Sequence, residues 1–339
     1  MTAARSRGMS LVEMMVWIAV SLIIVSVIGA IYLNTKQVTR VTDTISRLQE
    51  NGRFVMHLLD RDVRMAGFRG CNGGSITPVN VLGSAAYPYQ FNIGIVGYHD
   101  AGSGWSPALD ASITSLVPPP LSGRDVITIR HIDGAGIPLI ATMSATTGDV
   151  QVSAGTALTA GDLLLIADCG AAAIFQATAV AGGGLIAHEA GAGTPGNSTK
   201  DLGHVFGSDA SVYRLVTRTY YVAASVIQAG TNALWSYSNP NYDGRSAPEE
   251  MVEGVEQIVY QFGEDTDGDH AANRYLGAGT VANWDNVVSV KAQLLLATVR
   301  DNAATNPQPY TFNGETTTPT DRRLRSPLTS MITLRNRVP

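Results

Sequence analysis

The chain of 339 residues is 45% hydrophobic and only 15% charged, with 35 Gly and 15 Pro. That composition suits a loop-rich, strand-rich domain with a real core better than a helical bundle. Its net charge of −5, without a long run of either sign, argues against direct nucleic-acid binding, which needs a concentrated basic surface.

The first element is apolar. From Met14 to Thr35 no residue is charged, and at about 1.5 Å per residue that stretch can cross a bilayer core of about 30 Å. Arg5 and Arg7 precede it, so the positive-inside rule leaves the N-terminus cytoplasmic and sends the remainder outward. The apolar run continues into an amphipathic pattern without the small-residue cleavage site of an ordinary secretory signal. Val38, Val41, Ile45, Leu48, Gly52, Val55 and Leu59 recur at intervals of three and four with Ala66 on the same face, and most charges fall elsewhere. One helix is expected from Met9 to Ala66, ended by Gly67. Within it Glu13 is anomalous, because a simple membrane anchor gains nothing from a carboxylate at that position.

The stretch Gly8-Met9-Ser10-Leu11-Val12-Glu13 resembles the class III signal of type IV pilins and type II secretion pseudopilins. Those proteins carry a short basic leader ending in Gly and an acid five residues into the mature chain. The resemblance implies that a prepilin peptidase cuts between Gly8 and Met9 and methylates the new amine of Met9. Phe is the usual first mature residue, so Met9 departs from the pattern. The implied division is a leader (1–8), a transmembrane half-helix (9–36), an amphipathic half-helix (37–66) and a β-rich periplasmic or extracellular domain (67–339).

Beyond a Gly/Asn/Pro-rich boundary near 67–80, strand candidates are "DVITIRHI" from Asp125, "IPLIATMS", "DLLLIADC", "AAIFQATAV", "SVYRLVTRTYYVAAS", "NALWSYS", "GVEQIVYQFGED" and "NVVSVKAQLLLATVR". The fold class expected is α+β, a long N-terminal helix packed on an antiparallel β-rich domain. Cys71 and Cys169 lack the CxxC spacing of metal sites. In an oxidising compartment one long-loop disulfide is expected, with two unrelated buried thiols as the alternative.

"MVEGVEQIVYQFGEDTDGD" (Met251–Asp269) and "LTSMITLRNR" (Leu328–Arg337) resemble the PilW-type minor pilins, relatives of the J-type pseudopilins. The resemblance implies a non-enzymatic subunit that primes type IV pilus assembly or sits at the pilus tip, serving twitching motility, adhesion or DNA uptake. Its implied partners are other minor pilins, the major pilin, prepilin peptidase and the inner-membrane assembly platform. It would reside in the inner membrane with its domain periplasmic, then in the pilus. A J-type pseudopilin of type II secretion is the alternative. Glu13 would neutralise the free N-terminal amine, its own or a neighbour's, as the subunit leaves lipid.

Other motifs are weaker. Asp265, Asp267, Asp269 and Asn273 occupy positions 1, 3, 5 and 9 of a calcium-type loop, but position 6 is His270 and position 12 is Leu276. An Asp-Gly turn between strands explains the same residues. "GAGTPG" (Gly191–Gly196) lacks a following helix, His188-Glu189 lacks the second His of HExxH, and no G-x-S-x-G occurs. No cofactor is expected; calcium is the second reading of the Asp265 loop, after the plain turn. Arg322, Arg323, Arg325, Arg335 and Arg337 are expected on solvated strand faces, and Trp105, Trp235 and Trp284 in core or loop packing.

Overall fold

A computed structural model describes residues 10–68, 70, 76–84, 86–239, 242 and 247–337. Helix α1, Leu11–Met65, runs 55 residues, or about 82 Å at the α-helical rise. Ser10 caps its N-terminus, its hydroxyl accepting the Glu13 N–H at 3.2 Å. At the other end Ala66 leaves helical geometry and Gly67 takes φ +70°, a left-handed conformation that glycine adopts without strain. The Gly67 N–H then donates to the Arg130 carbonyl at 2.8 Å, turning the chain directly onto the sheet.

The main strands are β1 (Ile95–Asp100), β2 (Val126–Pro138), β3 (Leu163–Ala167), β4 (Ala172–Gln176), β5 (Ser211–Ala224), β6 (Asn232–Ser238), β7 (Glu249–Glu253), β8 (Val255–Glu264), β9 (Arg274–Gly277), β10 (Val287–Ala297) and β11 (Arg325–Thr333). The long strand β5 organises the first sheet. One edge of it pairs with β2, while the other pairs first with β3 and then with β6. Outward from there lie β1 beyond β2, β4 beyond β3 and β7 beyond β6. These pairings are antiparallel; a short ladder at 79–80 adds one parallel pair along β4. The second sheet has the order β9-β8-β10-β11, antiparallel throughout.

The C-terminal part of α1 lies where the two sheets meet. Leu48, Val55, Leu59 and Val63 share a core with Ile127, Ile129 and Val222 of the first sheet and Ile258, Val290 and Leu294 of the second. The fold is therefore α+β: an extended helix on an antiparallel-rich β domain, as the sequence led us to expect. Two strand expectations need correction. "IPLIATMS" is not a separate strand; Ile137 and Pro138 end β2, and Leu139 makes a single bridge to Val152. "AAIFQATAV" breaks after Gln176, and only 179–180 resumes in a different small sheet. Apolar runs mark burial, and only ladder pairing decides where a strand stops.

The expected helix face also shifts. Val38 and Ile45 remain 65% and 38% exposed, whereas Leu58, Asp62 and Val63 are buried. Residues 10–40 are all exposed, Val41 and Thr44 are half-buried, and Leu48 is the first buried position. The domain thus grips only the last third of the helix.

Candidate functional site

Leu11–Met65 contains a charge-poor window of mean hydropathy 2.6, none of it buried within the chain. Length and apolarity allow it to cross a bilayer. Glu13 is exposed in its first turn, beside the helix N-terminal N–H groups that favour an acid there. Ser10 and Glu13 also stand in the S-x-x-E relation of a capping box, a second reason for an acid at this position that the sequence reading missed. Gly8 and Met9, the expected processing residues, lie outside the described residues.

The grip on the helix has two parts. The first is close approach at Gly52. A Cβ there would meet Leu328 Cδ1 at 2.3 Å and Leu296 Cδ1 at 2.5 Å, so any larger residue must displace the ends of these two leucine side chains for α1 to settle this close to β10 and β11. The second is polar. Asp62, 1% exposed, projects from α1 onto β5, where its Oδ2 accepts from the Tyr220 hydroxyl at 2.6 Å and an Arg218 guanidinium N–H at 2.9 Å. Its Oδ1 accepts from Arg61 at 3.0 Å. Burial pushes the Asp62 carboxyl up, but the Arg218 charge and the Tyr220 and Arg218 hydrogen bonds outweigh it, and the group sits below its ordinary value. Hydropathy patterning assigns Asp62 to the solvent side; its partners on β5 lie more than 150 residues away, so nothing local signals them.

The acidic loop folds as a turn between β8 and β9. It brings carboxylate oxygens of Asp265, Asp267 and Asp269 within 4.8 Å of one another. His270, at the sixth position, takes φ +67°, the left-handed geometry for which calcium loops use glycine. Asp265 accepts from the N–H groups of Asp267, Gly268 and His270, and the Gly268 bond above all holds its carboxyl below the ordinary range. Asn273 turns its oxygen to Thr266 and its amide to Asp267. The carboxylates therefore converge, while Asn273 ties the hairpin together. Leu276 lies in β9 and supplies no twelfth-position ligand.

Cys71 lies outside the described residues. Cys169 follows β3 in the turn to β4. Gly70 packs beside Tyr213 and Ala167: a Cβ on it would lie 3.7 Å from the Ala167 side chain, which brings the chain next to Cys71 into the neighbourhood of Cys169.

The remaining motifs resolve into packing. His188 is buried against Phe175 at 5.2 Å between ring centroids, and Glu189 pairs with Lys200. Trp235 is buried, Trp105 packs against the same cluster, and Trp284 meets Phe262 edge-on at 4.9 Å. The basic end departs from expectation. Arg325 has a side chain only 7% exposed, paired with Glu256 and Asp321, and Arg337 donates to the Trp284 and Val287 carbonyls and to Asp285. These two arginines fasten β11 and the C-terminus rather than face solvent. On the sheet face away from α1, fully buried Arg130 donates to the Ile93 carbonyl at 3.1 Å and lies over the Tyr87 ring.

Residues 219–336 match the family model described as type IV pilus-assembly protein W. That span runs from within β5 to just past β11, and so includes the sheet that grips α1. The chain is also 35% identical over 69 residues to the pilin-like protein PilA3 of Thermus thermophilus, covering 20% of this chain and 30% of that protein. The match therefore spans under a third of that relative's length. No solved structure matches the chain. The chain thus combines a long apolar N-terminal helix gripped by a β domain with a C-terminal part that is similar to type IV pilus-assembly protein W and a short stretch that is similar to a pilin-like protein.

Proposed function

We propose that this protein is a minor pilin that waits in the inner membrane, is processed between Gly8 and Met9, and then joins other pilins to prime assembly or occupy the pilus tip. The observation that carries the reading is the division of α1. Its apolar part is exposed on every face through Arg40, the domain begins to cover the helix at Val41 and Thr44, and it buries helix positions only from Leu48 onward. In water such a surface would be strongly unfavourable, at roughly 25 cal/mol per Å² of apolar area. Lipid covers it during storage, and helices of other subunits cover it in a filament.

In this reading Glu13 selects register. Leaving lipid without a cationic partner strands a carboxylate in an apolar bundle, at a cost of several kcal/mol; pairing with a processed N-terminal amine removes that penalty. Glu13→Ala should be processed yet fail to restore surface pili in a deletion strain, and wild-type pilus number in that strain overturns the role. Intact mass of the mature protein tests processing: loss of residues 1–8 plus one methyl group is expected, and an unprocessed N-terminus refutes it. If deletion leaves pili and twitching intact but blocks protein secretion, the chain serves a secretion pseudopilus instead.

A further inference from the structure

The turn between β5 and β6 presents two adjacent apolar side chains, Val226 and Ile227, at 71% and 72% exposure. Isolated exposed apolar residues are ordinary, but this pair sits on a tightly fixed turn. Glu250 of β7 accepts from the Ser225 hydroxyl at 2.5 Å and from the N–H groups of Val226 and Ile227 at 2.8 and 3.4 Å. Ser225 Oγ accepts the Gln228 N–H at 2.9 Å, and the Thr231 hydroxyl donates to the Gln228 carbonyl at 2.7 Å. From outside the turn, Arg323 donates to the Gly230 carbonyl at 2.9 Å.

The position of this tip follows from contacts along α1. Gly67, just past the helix, bonds Arg130, which pairs with Thr217; Asp62 bonds Arg218 and Tyr220; and Asn51 bonds the Glu253 carbonyl, level with Ala233 and Ala223. Moving toward the N-terminus of α1 therefore means moving toward the C-terminal end of β5. Continued at 1.5 Å per helical residue and about 3.4 Å per strand residue, the tip falls near the level of Val41 and Thr44. Those are the first helix positions the domain covers. Lys36, the first charged residue after the apolar run, is then only about 8 Å further along the axis. The tip thus belongs to the end of the domain that faces the membrane span. Exposed Arg322 and the turn-bonded Arg323 lie beside it with Asp301 and Asp321 next to them, and Lys36, Arg40 and Arg47 line the helix at the same end with Asp43 among them.

We propose that Val226 and Ile227 dip into the lipid–water interface while the subunit is stored, with Arg322 and Arg323 against anionic headgroups. An apolar tip flanked by cations is the chemistry that anionic bilayer surfaces attract. The contact fixes the tilt of the domain over the membrane and must break as the subunit is extracted. It rests on the reading of residues 14–35 as a membrane span.

The test is a photoreactive benzophenone amino acid placed at Ile227 in the full chain, reconstituted in vesicles of phosphatidylglycerol and phosphatidylethanolamine with no other protein. Parallel chains carry the probe at Ile24, within the span, and at Ile140, 58% exposed near the opposite end of β5. Lipid adducts at Ile227 severalfold above those at Ile140, and reduced when phosphatidylglycerol is replaced by phosphatidylcholine, are expected. Adducts at Ile24 with only background at Ile227 overturn this inference and leave the span intact. Cross-linking of Ile227 to a second copy overturns it in favour of self-association. Absence of lipid adducts at Ile24 removes the span and the inference with it.

Discussion

Asp62 and Tyr220 lie 158 positions apart in the chain and meet at 2.6 Å, in a buried contact that joins the long N-terminal helix to the longest strand of the domain. Arg218 completes the contact by supplying the compensating charge. The exposed part of α1 is tied to the β domain by this contact, the apolar face around it and the hydrogen bonds of Asn51 and Gly67.

Removing one partner of a buried ion pair strands the other, at a cost of about 3–5 kcal/mol. Asp62→Ala should therefore destabilise the protein by about that amount. Arg61→Ala should cost roughly 0–1 kcal/mol, because Arg61 is 59% exposed. Denaturant unfolding of the purified full chain in detergent, followed by tryptophan fluorescence, measures both. Equal effects would mean that the Asp62 contact carries no special weight.

Acid should weaken the domain in two stages. Burial holds His131 and His188 below their ordinary value of 6.5, so the unfolded chain binds protons that the fold refuses. Stability accordingly falls as pH drops below about 6.5. Asp62 sits below its ordinary 3.8, so its contribution is complete above that value and disappears as pH falls through the lower folded value. Midpoint denaturant concentration against pH should show both limbs. His188→Leu should flatten the first and Asp62→Asn the second.

Gly52→Val should cost about 1–3 kcal/mol, since added carbons must displace Leu296 and Leu328 from a packed interface. Gly29→Val is the control, because nothing lies within 4 Å of a Cβ at that position. Thermal unfolding of the two variants separates them, and equal midpoints would contradict the close-approach argument.

A Cys71–Cys169 disulfide would close a loop of about a hundred residues, for which chain entropy gives about 4–5 kcal/mol. Thiol titration of the unfolded, unreduced protein should find no free cysteine. Reduction, or Cys169→Ser, should lower stability by up to that amount. Two titratable thiols in protein purified from the envelope would establish unrelated cysteines instead.

Calcium should bind weakly at the loop after β8, with a dissociation constant of about 10⁻⁴–10⁻³ M, because three carboxylates converge without a twelfth-position acid. Calorimetry should give heat at millimolar calcium that Asp267→Asn abolishes. Asp265→Ala should loosen the hairpin even without metal, since it removes the acceptor for three backbone N–H groups. Absence of heat at millimolar calcium leaves the loop as a turn alone.

What the sequence alone determined is what local chemistry encodes. The uncharged stretch, its basic flank, the acid at Glu13, the three–four spacing through Leu59 and the stop at Gly67 are all relations between near neighbours. The long helix and the principal strands could accordingly be read from them. What required the tertiary structure depends on which distant segments meet. Asp62 reads as one more solvent-facing charge until β5 places Arg218 and Tyr220 against it. Gly52 reads as one position of the helix's apolar face until Leu296 and Leu328 close on it. Arg325 reads as part of a basic surface until Glu256 enfolds it. Val226 and Ile227 lie just past the strand candidate that ends at Ser225, and only the folded turn shows that both stay exposed. Burial and desolvation fix the meaning of a charge or a missing side chain, and those belong to the packed chain rather than to any short stretch of it.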